Sequence, residues 1–383
     1  MLKVVHIHTD PKFVHGGADF CPDAFDNHTI VIGQNPDQAI HFDEKTFFVP
    51  SRRSGLNKAV ALCGNADLVV LWDLDTTKSY IVRNLPPKTR VAWRFFGHEL
   101  YRRNIEAYLS DVSLTFYKRM AFGTKKSVQT ALGAVKCWLK YGLSSERMFR
   151  DAVRRTDLFL CLSEYEYEEI KNHCKKLPVF IQLPLLQKRK IGAAAPRNDI
   201  ILIGNNRSIF NNHLDVLRIV ERRARDRGLS FLLPFSYGPE NAYTQEVRRV
   251  AAAASADIRT IEGFLPESTY FDLIAGAKAA VFNSYRQMAM GNILLLLQKG
   301  CKIYMNPRNA IYRWFLDFGL RVSSVKDFAS DLDTGCLEIT PEEHQANLLG
   351  LERIRETYSC ERFVEDLGAA SAGNALDRGA NSR

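Results

Sequence analysis

An α/β protein with two doubly wound, mostly parallel sheets is what the sequence predicts, on two observations. Short apolar runs recur along the chain with helical or polar segments between them, the alternation that gives parallel sheets covered on both faces. At 383 residues the chain also exceeds what one core serves, so two domains of roughly 150 to 200 residues each are expected.

In the first half the strand-like runs are Leu2 to His8, Thr29 to Ile32, Lys45 to Val49, Ala66 to Trp72, Thr89 to Phe95, Leu158 to Leu162 and Val179 to Gln182. After Leu162, Ser163 as N-cap and Glu166 at N3 form a capping box, so a helix starts there. Leu186 to Asn198 is polar and low in complexity, the pattern of an interdomain linker. A second series follows: strand Asp199 to Ile203, loop Gly204 to Ser208, helix Asn212 to Arg225, strand Ser230 to Pro234, loop Phe235 to Asn241, helix Ala242 to Ala254 and strand Ile258 to Ile261. Next come helix Tyr270 to Ala277, strand Ala279 to Phe282, a polar loop Asn283 to Asn292, helix Ile293 to Gln298, a Gly300 stop and strand Cys301 to Met305. Thr340-Pro-Glu-Glu343 joins an N-cap, a Pro at N1 and an N3 carboxylate, opening a helix towards Tyr358 or beyond. The expected boundaries are 1–190 and 199–345 for the two domains, a C-terminal helix at 346–371 and a disordered tail at 372–383.

Composition is that of an ordinary globular protein, 46% hydrophobic and 25% charged. No run of about 18 apolar residues is present to span a membrane. Met1 to His8 enters a strand directly, without the regions of a signal peptide, which predicts a cytoplasmic protein. The eight cysteines lack metal-like spacing and read as reduced core residues. The net charge of +9 is concentrated between Phe116 and Arg155, where ten Lys and Arg face only Glu146 and Asp151. Aromatic and apolar residues interleave with them, among them Phe122, Trp138 and Leu139. Such a segment suits an anionic membrane surface. A helical hairpin with a solvated basic face is the plainer alternative; no signature accompanies the charge that would point to nucleic acid.

From Leu273 to Leu316 there is no Asp or Glu, yet Lys278, Arg286, Lys299, Lys302, Arg308 and Arg313 are present, as a pocket for an anionic group requires. In open α/β sheets the strand-to-helix loops line the ligand crevice. Gly204-Asn205-Asn206-Arg207-Ser208 follows a buried-type strand, where glycine admits close backbone approach and a helix N-terminus offers N–H groups to phosphate. It carries neither the dinucleotide fingerprint nor a P-loop. In the first half, the strand Val91 to Phe95 runs into Gly97-His98-Glu99, which sets an imidazole and a carboxylate at a crevice edge where a general base is wanted. His6 and His8 end the first strand. Asp73 and Asp75 end another in an Asp-x-Asp pattern that could hold a divalent metal.

The second half and the Trp93 to Tyr101 turn resemble glycosyltransferase family 56, the bacterial TDP-N-acetylfucosamine:lipid II N-acetylfucosaminyltransferases of enterobacterial common antigen synthesis. The resemblance lies in Ile203-Gly-Asn-Asn-Arg-Ser208 with Asn211 to Leu214, in Pro234 and Tyr237 with Glu240 to Tyr243, in Glu246 to Arg248, and in Arg286-Gln287 with Gly291 before a Leu-rich helix. In the first half it lies in Trp93, Gly97, Glu99 and Leu100-Tyr101. The chain departs from the family at His98, where a small residue is usual, and at Arg94, where a His is usual.

The resemblance implies a GT-B fold of two Rossmann-like domains facing across a cleft, and inverting transfer from a nucleotide-sugar donor, TDP- or UDP-linked. It further implies a lipid-linked glycan acceptor met by a peripheral protein on the cytoplasmic face of the bacterial inner membrane. Glu99 is then the first choice for the base, with His98 and His8 behind it. Gly204, Asn205, Asn206, Arg207, Ser208, Tyr237, Arg286, Gln287, Gly291 and Asn292 would meet the donor, and no metal cofactor is needed if cationic side chains hold the diphosphate. The competing readings are a non-catalytic, membrane-recruited GT-B-like scaffold, a GT-B transferase with another donor, and a metal-dependent transferase using Asp73 and Asp75.

Overall fold

Valine, leucine and isoleucine runs bounded by Gly, Pro and Asp form strands buried on both faces, and these pair into two all-parallel sheets. A computed structural model describes residues 1–10, 14, 20–34, 44–121, 124–171, 178–185, 198–224 and 228–371. Their contacts divide into two units. The first holds the described residues of Met1–Glu99, Lys125–Leu185 and Tyr358–Arg383, and the second those of Leu100–Thr124 and Leu186–Thr357.

The first half of the chain runs β1 (Leu2–His8), β2 (Phe25–Gly33), β3 (Thr46–Pro50), α1 (Arg53–Leu62), β4 (Leu68–Trp72), α2 (Thr76–Asn84), β5 (Arg90–Arg94) and α3 (His98–Tyr101). It continues α4 (Asp111–Ala121), α5 (Thr124–Tyr141), α6 (Ser145–Arg155), β6 (Leu158–Cys161), α7 (Glu164–Lys171) and β7 (Val179–Gln182). The seven-stranded sheet has the order β3-β2-β1-β4-β5-β6-β7. Strand order reverses between β1 and β4, so the crevice beyond their carboxyl ends is the switch point where such folds bind ligands.

The second half runs β8 (Asn198–Ile203), α8 (His213–Arg223), β9 (Ser230–Pro234), α9 (Ala242–Ala253), β10 (Asp257–Ile261), α10 (Glu267–Ala275), β11 (Ala277–Phe282), α11 (Met290–Gln298) and β12 (Lys302–Met305). It ends with α12 (Ala310–Asp317), β13 (Ser323–Ser324), α13 (Val325–Thr334), α14 (Pro341–Thr357) and α15 (Cys360–Ser371). Its sheet order is β10-β9-β8-β11-β12-β13, with the switch point between β8 and β11. Helix α15 returns to the first unit, where Phe363 and Leu367 join Phe20, Val70 and Trp72 in one core.

Several expectations change on contact with the structure. The single helix expected at 346–371 is two helices, because Ser359 caps a new start by accepting from the Arg362 N–H at 3.3 Å. The Thr340 capping box forms as expected, with both bonds present. At Ser163 only half of the box forms: Ser163 Oγ accepts from Glu166 N, but the Glu166 carboxylate takes the Leu162 N–H at 3.1 Å. Cys336 is exposed and Cys137 and Cys360 half-buried, so not every described cysteine is a core residue. The basic stretch 116–155 is distributed over three helices in two units, and Arg155 is tied to the carbonyls of Pro86, Pro87 and Thr89 and to Asp157. The linker expected at 186–198 (apart from Asn198), the tail at 372–383, Phe122 and Cys174 lie outside the described residues.

Candidate functional site

At the switch point of the first unit, Asp73 follows β4 with φ at +73°, an uncommon conformation for a side-chain-bearing residue. This bend turns its carboxylate towards α2. Lys78, wholly buried on that helix, donates to Asp73 Oδ1 at 2.6 Å, to Thr9 Oγ1 at 2.6 Å and to Asp75 Oδ2 at 3.1 Å. Asp75 also caps α2 by accepting from Lys78 N. The Asp-x-Asp pair is therefore engaged by an ammonium within its own chain. That is a structural role, which the metal-dependent alternative did not foresee.

The second Asp73 oxygen lies 3.5 Å from His98 Nε2, while His98 Nδ1 lies 3.5 Å from Glu99 Oε2. Glu99 has a side chain only 1% exposed, and its other oxygen accepts from Trp93 Nε1 at 2.9 Å and Phe96 N at 3.3 Å. Burial, partly offset by His98, holds the Glu99 carboxyl above its ordinary pKa. His98, at 31% exposure, is the member of this group that reaches solvent. His8 ends β1 as a buried ring 4.8 Å from Trp72, and burial pushes its pKa well below the usual histidine range. His6 is pushed down to about 4 by burial and bonds to Asn27 and Trp72.

At the second switch point, Gly204 sits at φ +67°, and a Cβ there would come 2.7 Å from His213 Nε2. No other residue fits this turn. Asn206 Oδ1 accepts from Ser208 N and Asn211 Nδ2, and Ser208 caps a short turn, so both shape the loop itself. Arg207 is likewise used internally: it donates to the carbonyls of Phe235 and Ser236 and pairs with Glu240 at 3.1 Å. The first turn of α8 carries an acid, Asp215, whose carboxylate accepts from Val112 N, Ser113 N and Ser113 Oγ.

Helix α11 is different. Its N-cap, Ala289, lies at φ +60° with no capping side chain, and no acid occupies the first turn. The N-terminal N–H groups and the helix dipole thus face the loop with positive partial charge. In that loop the Arg286 guanidinium lies beside the rings of Tyr101 and Phe210, at 5.3 and 5.0 Å. Asn309 pins the loop by donating to the carbonyls of Ser284 and Arg286.

Nearby is a cavity of about 170 Å³ lined by Asn205, Tyr237, Phe264, Tyr270 and Asn292 among others. Asn205 Nδ2 donates to the Tyr237 hydroxyl at 3.1 Å and Asn292 Nδ2 to the Tyr270 hydroxyl at 2.7 Å. Phe264 is 81% exposed at its mouth. Of the sequence candidates, Asn205, Tyr237 and Asn292 meet here, and Arg286, Gln287 and Gly291 lie on the adjoining loop and first turn of α11. Phe264 and Tyr270 escaped notice. An aromatic between Gly263 and Pro266, after a strand and before a helix, is the signal that could have found Phe264.

The sequence profile of the 4-alpha-L-fucosyltransferase glycosyl transferase group 56 family matches residues 164–330. Among solved structures, the chain is similar to the sucrose-phosphate synthase of Thermosynechococcus elongatus, at 10% identity and TM-score 0.68, covering 97% of this chain and 99% of that one. It is also similar to Anabaena HepE in complex with UDP and glucose, at 10% identity and TM-score 0.61, covering 97% and 100%. A third is the UDP-forming alpha,alpha-trehalose-phosphate synthase of Burkholderia vietnamiensis, at 9% identity and TM-score 0.61, covering 97% and 100%. At such identities these likenesses establish the fold alone, two parallel Rossmann-like sheets of the GT-B kind. The chain thus has a GT-B-like fold whose residues 164–330 are similar to the group 56 4-alpha-L-fucosyltransferase glycosyl transferases.

Proposed function

We propose that the chain transfers a deoxy-amino sugar of the N-acetylfucosamine kind, with inversion, from a TDP- or UDP-linked donor to a polyprenyl-diphosphate-linked glycan in bacterial envelope polysaccharide synthesis. The observation that carries the donor half is the uncapped, acid-free N-terminus of α11 beside Arg286. A diphosphate there gains backbone N–H donors, the helix dipole and a guanidinium held by two aromatic rings. The adjoining aromatic and amide-lined cavity suits a nucleobase, with Phe264 and Tyr270 as ring contacts and Asn205 as an amide contact.

In this proposal His98 is the base. The acceptor hydroxyl attacks the anomeric carbon and gives its proton to His98. The bond from that carbon to the diphosphate oxygen breaks, and its electron pair leaves with the nucleoside diphosphate. Asp73 and Glu99, on either side of the ring at 3.5 Å, stabilise the imidazolium that forms. Glu99 thus acts through His98, as its inward, Trp93-bound carboxylate favours. His8 remains a candidate for the acceptor side.

Peripheral contact with the cytoplasmic face of the inner membrane is supported by α5, where Val135, Trp138 and Leu139 are 54%, 60% and 70% exposed beside Lys136. Among the described residues no helix is long and apolar enough to cross a membrane. The test is a transfer assay with purified protein, TDP- and UDP-sugars and polyprenyl-diphosphate glycans, read by product mass. Transfer to a lipid-linked glycan supports the proposal; hydrolysis alone, or transfer only to a soluble sugar, overturns the acceptor assignment.

A further inference from the structure

Three neighbouring strands of the first sheet end in a row formed by His8 on β1, Trp72 on β4 and Arg94 on β5, with Trp72 and Arg94 directly paired in register. The Arg94 guanidinium lies 4.6 Å from the Trp72 ring centre and 5.1 Å from that of Phe96, and the His8 ring lies 4.8 Å from the same indole. Two aromatic rings flank the guanidinium. No carboxylate comes within 4 Å of it among the described residues.

Glu166 is the acid that acts on Arg94 through space, and burial pushes its carboxyl up to about 8. The Arg94 side chain is half-buried, and its Nε is buried with no hydrogen-bond partner among the described residues. Both ring nitrogens of His8 are buried with no hydrogen-bond partner among the described residues. A half-buried guanidinium with no carboxylate within 4 Å and a buried polar ring without a partner leave donors unmet, and an anion supplied from outside would satisfy both.

We propose that Arg94, with His8 as a neutral hydrogen-bond donor, forms a subsite for an acidic group on the acceptor, a carboxylate or a phosphate ester. The planar guanidinium fork matches either group through two parallel bonds, which an ammonium cannot do. Asp73, which flanks the His98 ring, is the next residue after Trp72, so the subsite adjoins the proposed base and would orient the reacting hydroxyl. The assignment rests on the proposed acceptor role of the first unit.

The experiment is a ligand-observed NMR titration of the full-length protein with methyl glucuronide, methyl phosphate and neutral methyl glucoside, alongside separate calorimetry with UDP and TDP. The wild type is expected to bind one of the two anions and to bind the glucoside about tenfold or more weakly. Preference for the glucuronide identifies a carboxylate, and preference for methyl phosphate a phosphate. Arg94→Gln should lose about 10- to 100-fold in anion affinity while nucleotide binding is unchanged. Arg94→Lys, which keeps the charge, should recover only part of it. Equal anion binding by wild type and Arg94→Gln overturns the proposal, as does wild-type protein that binds neither anion. If Arg94→Gln does not fold, full anion affinity in Arg94→Lys overturns it instead. Anion binding without nucleotide binding would count against the donor assignment and leave this one standing.

Discussion

Lys78 Nζ lies 2.6 Å from Asp73 Oδ1 with its entire side chain buried. This ammonium also reaches Asp75 and Thr9, and so ties the carboxyl ends of β1 and β4 to the first turn of α2. Removing it leaves two carboxylates in a desolvated place without their cation. Lys78→Met should therefore destabilise the protein by about 3–5 kcal/mol, as loss of one partner of a buried pair does. Urea unfolding near neutral pH measures this. Burial alone would raise the Asp75 carboxyl, but Lys78 and Thr9 outweigh it and hold the pKa below the ordinary value. Its share of stability is present above the unfolded carboxylate pKa and is lost as pH falls through the lower folded one. With both carboxylates already engaged, transfer is expected to proceed unchanged in EDTA. Complete loss of activity on chelation, restored by Mg²⁺ or Mn²⁺, would contradict that.

His98 and Glu99 make separable predictions. His98→Asn should lower kcat by about 10²- to 10⁴-fold, the usual contribution of a general base, with the donor Kd unchanged. Glu99→Gln keeps the Trp93 bond and the shape but removes the charge facing His98, so a smaller loss is expected. The raised Glu99 pKa means that this charge disappears at a higher pH than for an ordinary carboxylate. Activity of the wild type should accordingly fall as pH drops through that value, and the fall should move in Glu99→Gln. A pH profile that does not change in the variant would remove Glu99 from this role.

Glu166 gives a stability signature. Its folded pKa of about 8 lies above the unfolded value of roughly 4.3, so the folded state binds more protons between the two. Stability from this group is present below about pH 4 and is lost as pH rises towards and through 8. Above about pH 7.5 the buried His6, held near 4 in the fold, is neutral in both states, which isolates the effect. Urea unfolding from pH 7.5 to 9 should show the wild type weakening by up to about 1 kcal/mol per pH unit. Glu166→Gln should be flatter over this range. Equal slopes would mean that Glu166 is ionised in the fold.

Arg286→Ala is expected to weaken binding of nucleoside diphosphates by about 10- to 100-fold and of the free nucleoside hardly at all, because the guanidinium addresses phosphate. Arg286→Lys should recover little, since an ammonium lacks the planar fork that binds phosphate through two parallel bonds. Phe264→Ala should show the converse pattern, weakening nucleoside and nucleotide alike. Calorimetry with TDP, UDP and their nucleosides separates the two.

The strands were legible in the sequence because burial on both faces demands continuous apolar runs, and Leu68–Trp72 and Leu158–Cys161, buried throughout, fall where those runs lie. The site was only partly legible, because sequence shows which side chains are present and not where each one's charge is met. Lys278 and Lys302, in a stretch without acids, are neutralised by Asp199, Glu338 and Asp331 from other segments. Arg207, in a donor-like loop, spends its donors on neighbouring carbonyls. Arg286 lies on the loop before α11, with the Tyr101 and Phe210 rings at 5.3 and 5.0 Å.

Helix α5 provides the last test. Its final turn is anchored by Tyr141, which packs on Tyr80 and lies 3.4 Å from Thr77 Oγ1, and by Lys140, which donates to the Ser51 carbonyl. That anchoring fixes the helix while Trp138 and Leu139 stay exposed, so their exposure is built into the fold of this unit. Apolar side chains fixed outward beside Lys136 would insert at the headgroup boundary, with each nearby basic residue adding about 1 kcal/mol on an anionic surface. Trp138→Ser with Leu139→Ser should therefore reduce co-sedimentation with phosphatidylglycerol-containing vesicles several-fold, leave binding to purely zwitterionic vesicles low, and leave nucleotide affinity unchanged. Raised salt should weaken the wild type towards the variant, as screening of the basic component requires. Equal sedimentation of wild type and double variant at low salt would show that α5 is not the membrane-facing element.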